Sequence, residues 1–216
     1  MKRAICVAAL LGVGTLAAPA MGGGVEWIDW TVGTNDYPSS VVVGQFGGPF
    51  TGIGATYTGG AENYQTNGGN YYWTPLSTYT NFAVSNAPGS PDDIELSHWN
   101  VTHTVTFTQP VTNPFMAISS LGSPTTFTTW TFNAPFAILS SGAGYFGTGP
   151  LVQGPNNSLV GAEGNGVLEF QGTFTSISWT VLHGENFAAF TVGIIPAPGS
   201  ALMLGVGALA ALRRRR

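Results

Sequence analysis

The chain has no lysine or arginine between Ala4 and Leu212. Its six basic residues stand at the two ends: Lys2 and Arg3 first, then Arg213, Arg214, Arg215 and Arg216 last. A body without basic side chains cannot neutralise phosphates, which excludes nucleic acid as a partner. The same absence removes bidentate arginine recognition of carboxylate or phosphate, and any internal ion pair to Lys or Arg. Cysteine is almost missing as well. Cys6 is the only one and precedes most of the first apolar run, so the body holds no disulfide, no thiol chemistry and no lipidation site. Packing and backbone hydrogen bonds are left to hold the fold.

Other absences exclude specific chemistries. There is no His-Glu-x-x-His helix and no Gly-x-Ser-x-Gly elbow. The glycine-rich stretch 47–60 lacks a lysine and is no phosphate loop. Gly142, Gly144 and Gly147 spell the dinucleotide fingerprint, but Gly149-Pro150 follows where a helix N-terminus is needed, so a hairpin or loop is expected. His98 and His103 are five apart, on opposite faces of a strand, and His183 is remote, so no zinc set forms.

What is present is a β pattern. Only 7% of the 216 residues are charged, against 44% hydrophobic and 12% aromatic, a balance of a packed domain. Short β-branched and aromatic runs alternate with Gly, Pro, Asn and Ser, and no amphipathic helix lies between Val25 and Ile195. The strand candidates are Val25–Gly33, Ser40–Phe46, Phe50–Thr58, Thr78–Ser85, Asp92–Leu96 and Trp99–Gln109. Phe115–Leu121, Thr125–Asn133, Pro135–Ser140, Gly166–Phe170, Phe174–Val181 and Phe187–Ile195 complete them. In Trp99–Gln109, Val101, His103, Val105 and Phe107 share one face, with threonines on the other. In Thr173–Val181, Ile177, Trp179 and Val181 share a face with Thr173 and Thr175. About a dozen such strands predict an all-β, antiparallel β-sandwich of jelly-roll type.

The ends address the chain. Met1-Lys2-Arg3, an apolar run from Ala4 to Ala18, and Ala18-Pro19-Ala20 form a secretory leader over residues 1–20, a signal helix cut by signal peptidase after Ala20. The sandwich domain is expected over 21–195. Residues 196–216 then read Pro196-Ala197-Pro198-Gly199-Ser200, a twelve-residue apolar stretch from Ala201 to Leu212, and four arginines. That stretch spans about 18 Å as a helix, short of the ~30 Å hydrocarbon core, and inserts as a short transmembrane helix with arginine snorkelling. The arginines stay cytoplasmic, which puts the body outside.

This tail resembles the PEP-CTERM sorting signal: a Pro-Glu-Pro motif, a short membrane helix and a terminal basic cluster. Ala197 stands where the family has glutamate. The resemblance implies recognition and removal by an exosortase-type enzyme, with transient anchoring in the inner membrane before release to the cell surface or extracellular matrix. The sorting residues it assigns are Pro196, Ala197, Pro198, Gly199 and Arg213 to Arg216. Residues 92–195 also resemble a domain common in PEP-CTERM proteins. Its segments are Thr106–Pro114, Gly161–Val167, Ser176–Thr180 and Phe190–Gly193. That domain brings no catalytic residues.

Three candidate sites remain within the body. Asp92, Asp93 and Glu95 are hard oxygen ligands suited to Ca²⁺ in type but not in spacing, and read first as a solvated turn entering a strand. Tyr71, Tyr72 and Trp73 beside the polar loop 67–70 offer rings for glycan contact, or else alternate into the core. Glu163, Glu169 and Glu185 are the carboxylates open to a glycosidase pair. The leading expectation is a non-catalytic exported protein of the envelope or matrix, with no cofactor. The alternatives are a carbohydrate-binding module for extracellular polysaccharide, calcium-assisted, and, third, a secreted glycoside hydrolase.

Overall fold

The computed structural model describes residues 24–97, 99–184 and 187–195. The leader 1–20, the sorting residues 196–216, His98 and Glu185 lie outside the described residues. In chain order the strands are β1 (Glu26–Trp27), β2 (Asp29–Thr34), β3 (Ser40–Gln45), β4 (Gly54–Gly59) and β5 (Asn63–Gln65). Then come β6 (Asp93–Leu96), β7 (Thr102–Thr112), β8 (Phe115–Leu121), β9 (Thr128–Phe132) and β10 (Phe136–Gly142). The last are β11 (Leu151–Gln153), β12 (Ser158–Gly161), β13 (Gly164–Phe170), β14 (Thr173–Val181) and β15 (Ala188–Ile194).

These strands make two antiparallel sheets packed face to face. One has seven strands, ordered β10-β13-β8-β15-β6-β5, with β1 also on β15. The other has eight, ordered β11-β12-β9-β14-β7-β4-β3-β2. From β6 onward the chain changes sheet at nearly every connection. The loops β6–β7, β8–β9, β10–β11, β12–β13 and β14–β15 therefore gather at one end of the sandwich. Both ends of the described chain leave at the opposite end, where Glu26 pairs with Ile194.

The inner layer is aromatic. His103, Val105 and Phe107 point inward from β7 while Thr102, Thr106 and Thr108 stay exposed, as alternation requires. Trp179 sits at the centre, its ring 5.0 Å from Phe190, 5.5 Å from His103, 5.6 Å from Trp130 and 5.8 Å from Phe132. His103 stacks between Trp179 and Tyr57 and shares a 2.8 Å hydrogen bond with the Tyr57 hydroxyl. Rings at these separations add about 1 kcal/mol per pair beyond area burial.

A second apolar layer covers the outside of the seven-stranded sheet. The connection 66–92 lays Trp73, Tyr79 and Val84 against Phe115 and Ala117 of β8 and Val167 of β13. This is why β8 is buried at every position: Met116 and Ile118 face the inner core, and Phe115 and Ala117 face the cover.

Several strand expectations change. Thr78–Ser85 is not a strand. Leu76–Tyr79 is a 3₁₀ turn, and the Asn81 side chain accepts the Ala83 and Val84 N–H groups that a ladder would have used. Val25–Gly33 divides at Ile28, so that β1 joins one sheet and β2 the other. The first residues of Phe50–Thr58 belong to a 3₁₀ turn, Gly48–Phe50. Thr173 and Thr175 are exposed rather than on the buried face, because a bulge between Phe174 and Ser176 turns Phe174 inward instead. The strands β5, β11 and β12 are three or four residues long and were not anticipated.

Candidate functional site

The loop end of the sandwich carries a cleft of about 280 Å³. Ser120, Ser123, Thr126 and Glu163 supply its polar lining, and Phe146 and Phe187 its aromatic wall. Its size is at the lower edge of small-ligand clefts, ~300 Å³.

Local backbone geometry builds it. Opposite Asn165, strand β8 carries one extra residue: Gly164 pairs with Leu121 and Gly166 with Ile118. Such a bulge re-aims a side chain. Ser120, within the bulge, has φ 61°, and Glu163, in the turn between β12 and β13, also has φ 61°. Neither residue belongs to the types that enter this region readily, so each costs about 1 kcal/mol. Hydrogen bonds hold both in place. Ser120 Oγ donates to Glu163 Oε2 at 2.6 Å. The Ser120 N–H donates to Asn165 Oδ1 at 2.8 Å, and Asn165 Nδ2 donates to the Glu163 carbonyl at 2.6 Å. Asn165 itself is fully buried.

The loop between β10 and β11 packs against Glu163 and Asn165 and adds Phe146 to the lining. Its Gly144 N–H donates to the Gly147 carbonyl at 2.7 Å, making a tight turn and no helix. A Cβ on Gly144 would lie 2.0 Å from Asn165 Oδ1, and one on Gly147 2.7 Å from Glu163 Cβ. Two glycines of the apparent dinucleotide motif are therefore there to admit Asn165 and Glu163. The turn displays Tyr145 and Phe146, which are 52% and 48% exposed. Phe146 lies 4.8 Å from both Tyr145 and Phe187, and Tyr72 supports all three rings from below at 5.0–5.3 Å.

The expected site residues fall differently. Trp73 is buried edge-on to Tyr79, and the Tyr71 hydroxyl donates to the Pro88 carbonyl at 2.6 Å. Tyr71, Tyr72 and Trp73 thus belong to the cover over the seven-stranded sheet and form no exposed glycan platform. Only Tyr72 reaches the cleft, as a support.

Asp92, Asp93 and Glu95 are buried, not a solvated turn, because β6 lies inside the sheet between β15 and β5. Each is held by neighbours rather than left open. Asp92 accepts the Asn67 N–H at 2.6 Å and the Ser90 hydroxyl at 2.8 Å. Asp93 accepts Gln65 Nε2 at 2.9 Å, and Glu95 accepts Asn63 Nδ2 at 3.2 Å. Burial, with Glu95 nearby, pushes the Asp93 carboxyl up to about 8, and burial also raises Glu95. Among the described residues no group of three His, Cys, Asp or Glu is placed to hold a metal ion. Asp92, Asp93 and Glu95 therefore do not converge on calcium.

Glu163 and Glu169 are six residues apart along β13, on the order of 20 Å, well beyond the ~10 Å limit of a glycosidase pair. Glu169 is half-buried near the far end, its carboxyl raised by burial. Among the described residues, Glu163 is the one titratable residue that lines the cleft. His103 is buried in the core and His183 is exposed, so these two do not meet.

Ser120, Asn165, Tyr145 and Phe146 were not singled out from the sequence as site residues. The readable signal was an aromatic pair inside a glycine-rich turn. In comparisons with known proteins, no family model matches the chain, and neither a curated protein nor a solved structure matches it.

Proposed function

We propose that this chain is an exported, non-catalytic β-sandwich protein of the cell envelope or extracellular matrix that binds carbohydrate at its loop-end cleft. The observation that carries the reading is one cleft lined by the hydrogen-bonded pair Ser120–Glu163, which Asn165 holds in place, together with half-exposed Phe146. Hydroxyls and a carboxylate beside an aromatic face match the two sides of a sugar ring, polar at its edge and apolar on its face. Strained backbone held by a buried amide fits a prebuilt recognition site. The jelly-roll description is supported by the strand orders β6-β15-β8-β13 and β7-β14-β9-β12, four adjacent strands in each of the two sheets, between which the chain weaves.

A glycan array tests the binding. Signal on neutral or amino polysaccharides should persist in EDTA and fall at least tenfold in Phe146→Ala. No signal with or without EDTA sinks the binding reading and leaves an envelope scaffold.

Export and sorting rest on the two ends of the sequence: the leader, the Pro196-Ala197-Pro198 motif and the four arginines. Signal peptidase and an exosortase-type enzyme are the processing partners proposed. Mass spectrometry of surface-associated protein should find an N-terminus at Met21 and no Arg213–Arg216. A mature form retaining those arginines rejects sorting and leaves membrane anchoring.

A further inference from the structure

We infer that the cleft selects a saccharide carrying a free, protonated amine, such as a de-N-acetylated hexosamine oligomer. This rests on the carbohydrate reading and specifies its ligand.

Among the described residues, Glu163 brings the one formal charge to the lining of the cleft. Its Oε2 takes the Ser120 hydroxyl. The described body contains no lysine or arginine to neutralise it. A neutral sugar needs only hydroxyl donors and acceptors, which an amide serves equally well. A carboxylate held in a concave site gains most from a donor that brings positive charge, since charge-assisted hydrogen bonds are about twice as strong as neutral ones.

The rings in the lining add to this. Phe146 and Phe187 pack 4.8 Å apart, with the Phe146 face half exposed. An ammonium group within about 6 Å of a ring centroid is attracted to its face. A carboxylate and aromatic rings lining one cleft are complementary to a cation attached to a partly apolar ring. Uronic acids, sulfated sugars and phosphorylated sugars meet the reverse: an acidic residue and no basic one.

The wider field acts in the same direction. Ten acidic residues and no basic ones lie between Ala4 and Leu212. A polycationic polymer is attracted over distance, and the cleft then discriminates at contact.

The test is calorimetric titration of the protein at pH 5.5 with two hexamers, one of glucosamine and one of N-acetylglucosamine. The glucosamine hexamer should bind at least tenfold more tightly. Glu163→Gln should erase that preference. Asp36→Asn, which removes an exposed charge away from the cleft, should keep it within twofold. Equal affinity for the two hexamers overturns the amine inference while leaving carbohydrate binding intact. Binding of the glucosamine hexamer that is unchanged in Glu163→Gln overturns it too, as bulk charge attraction. No binding of either hexamer, with a blank glycan array, overturns this inference and the carbohydrate reading together. The comparison of hexamers on the unmodified protein stands even if a variant folds poorly.

Discussion

Urea unfolding should find the protein less stable at pH 8 than at pH 5, and Asp93→Asn should remove most of that difference. Asp93 is fully buried, with Gln65 donating to one oxygen and the other left without a partner. Burial and the neighbouring Glu95 push its carboxyl up to about 8 from 3.8. Between these values the folded chain keeps a proton that the unfolded chain releases. Stability contributed by this group is therefore fully present below pH 4 and is lost as pH rises to 8. The loss is on the order of 4 kcal/mol. Asp29, Glu95 and Glu169 are also raised, so they add in the same direction. An asparagine keeps an acceptor for Gln65 and never ionises. Asp93→Asn should match the parent within about 1 kcal/mol at pH 5 and exceed it by about 3 kcal/mol at pH 8. A parent whose stability is flat or rising from pH 5 to 8 refutes this.

Trp179→Ala should lower the unfolding free energy by about 3–5 kcal/mol, enough to threaten folding of a marginally stable domain. The indole touches His103, Trp130, Phe132 and Phe190, and its removal leaves a cavity shared by both sheets. Its Nε1 is buried without an acceptor. Trp179→Phe keeps a ring and discards that unsatisfied donor, so it should cost less than half as much. The midpoints of denaturant unfolding measure both variants. A Phe variant as damaging as the Ala variant would mean that the indole edge, not ring packing, holds the centre.

The sandwich was legible where one face of a strand is wet. Val105 and Phe107 alternate with threonines because β7 is half-exposed, and the period shows directly. Phe115–Leu121 was legible as a strand but not as one buried on both faces, since nothing local announces the cover. That cover explains the clearest misreading. Tyr79 and Val84 are apolar because they pack down onto a sheet, not because they join one. A period of two cannot separate those cases when an Asn81 side chain replaces the ladder. The bulge at Phe174 hides likewise, because one extra residue reverses the faces and leaves composition unchanged.

The cleft was partly visible. Glu163 stood out as an acid within Gly161–Val167, but its partners come from distant parts of the chain. Ser120 lies 43 positions before Glu163 and reaches it only because β13 pairs with β8. The glycine motif at 142–147 reads from the sequence as a hairpin or loop, and it is a tight turn; its part in the cleft does not show there. Its spacing reflects two side chains that need bare backbone, which becomes apparent only when Asn165 and Glu163 are placed against it. Asp92, Asp93 and Glu95 were read as wet because charged residues seldom go inside unpaired. Amide side chains from Asn63 and Gln65 accommodate Glu95 and Asp93, and no pattern in the neighbouring sequence encodes that.

The placement of the chain ends sets an orientation. Strand β15 starts beside the cleft and finishes at Ile194, next to Glu26, so a tether through the proposed sorting tail would hold the molecule by its foot. One seven-residue strand spans about 23 Å. On a chain anchored through the proposed tail, the cleft would be lifted by at least that much from the surface of attachment and would face away from it. Cutting such a tether frees the domain without altering its open mouth, so an anchored copy and a released copy present the same face to the surroundings.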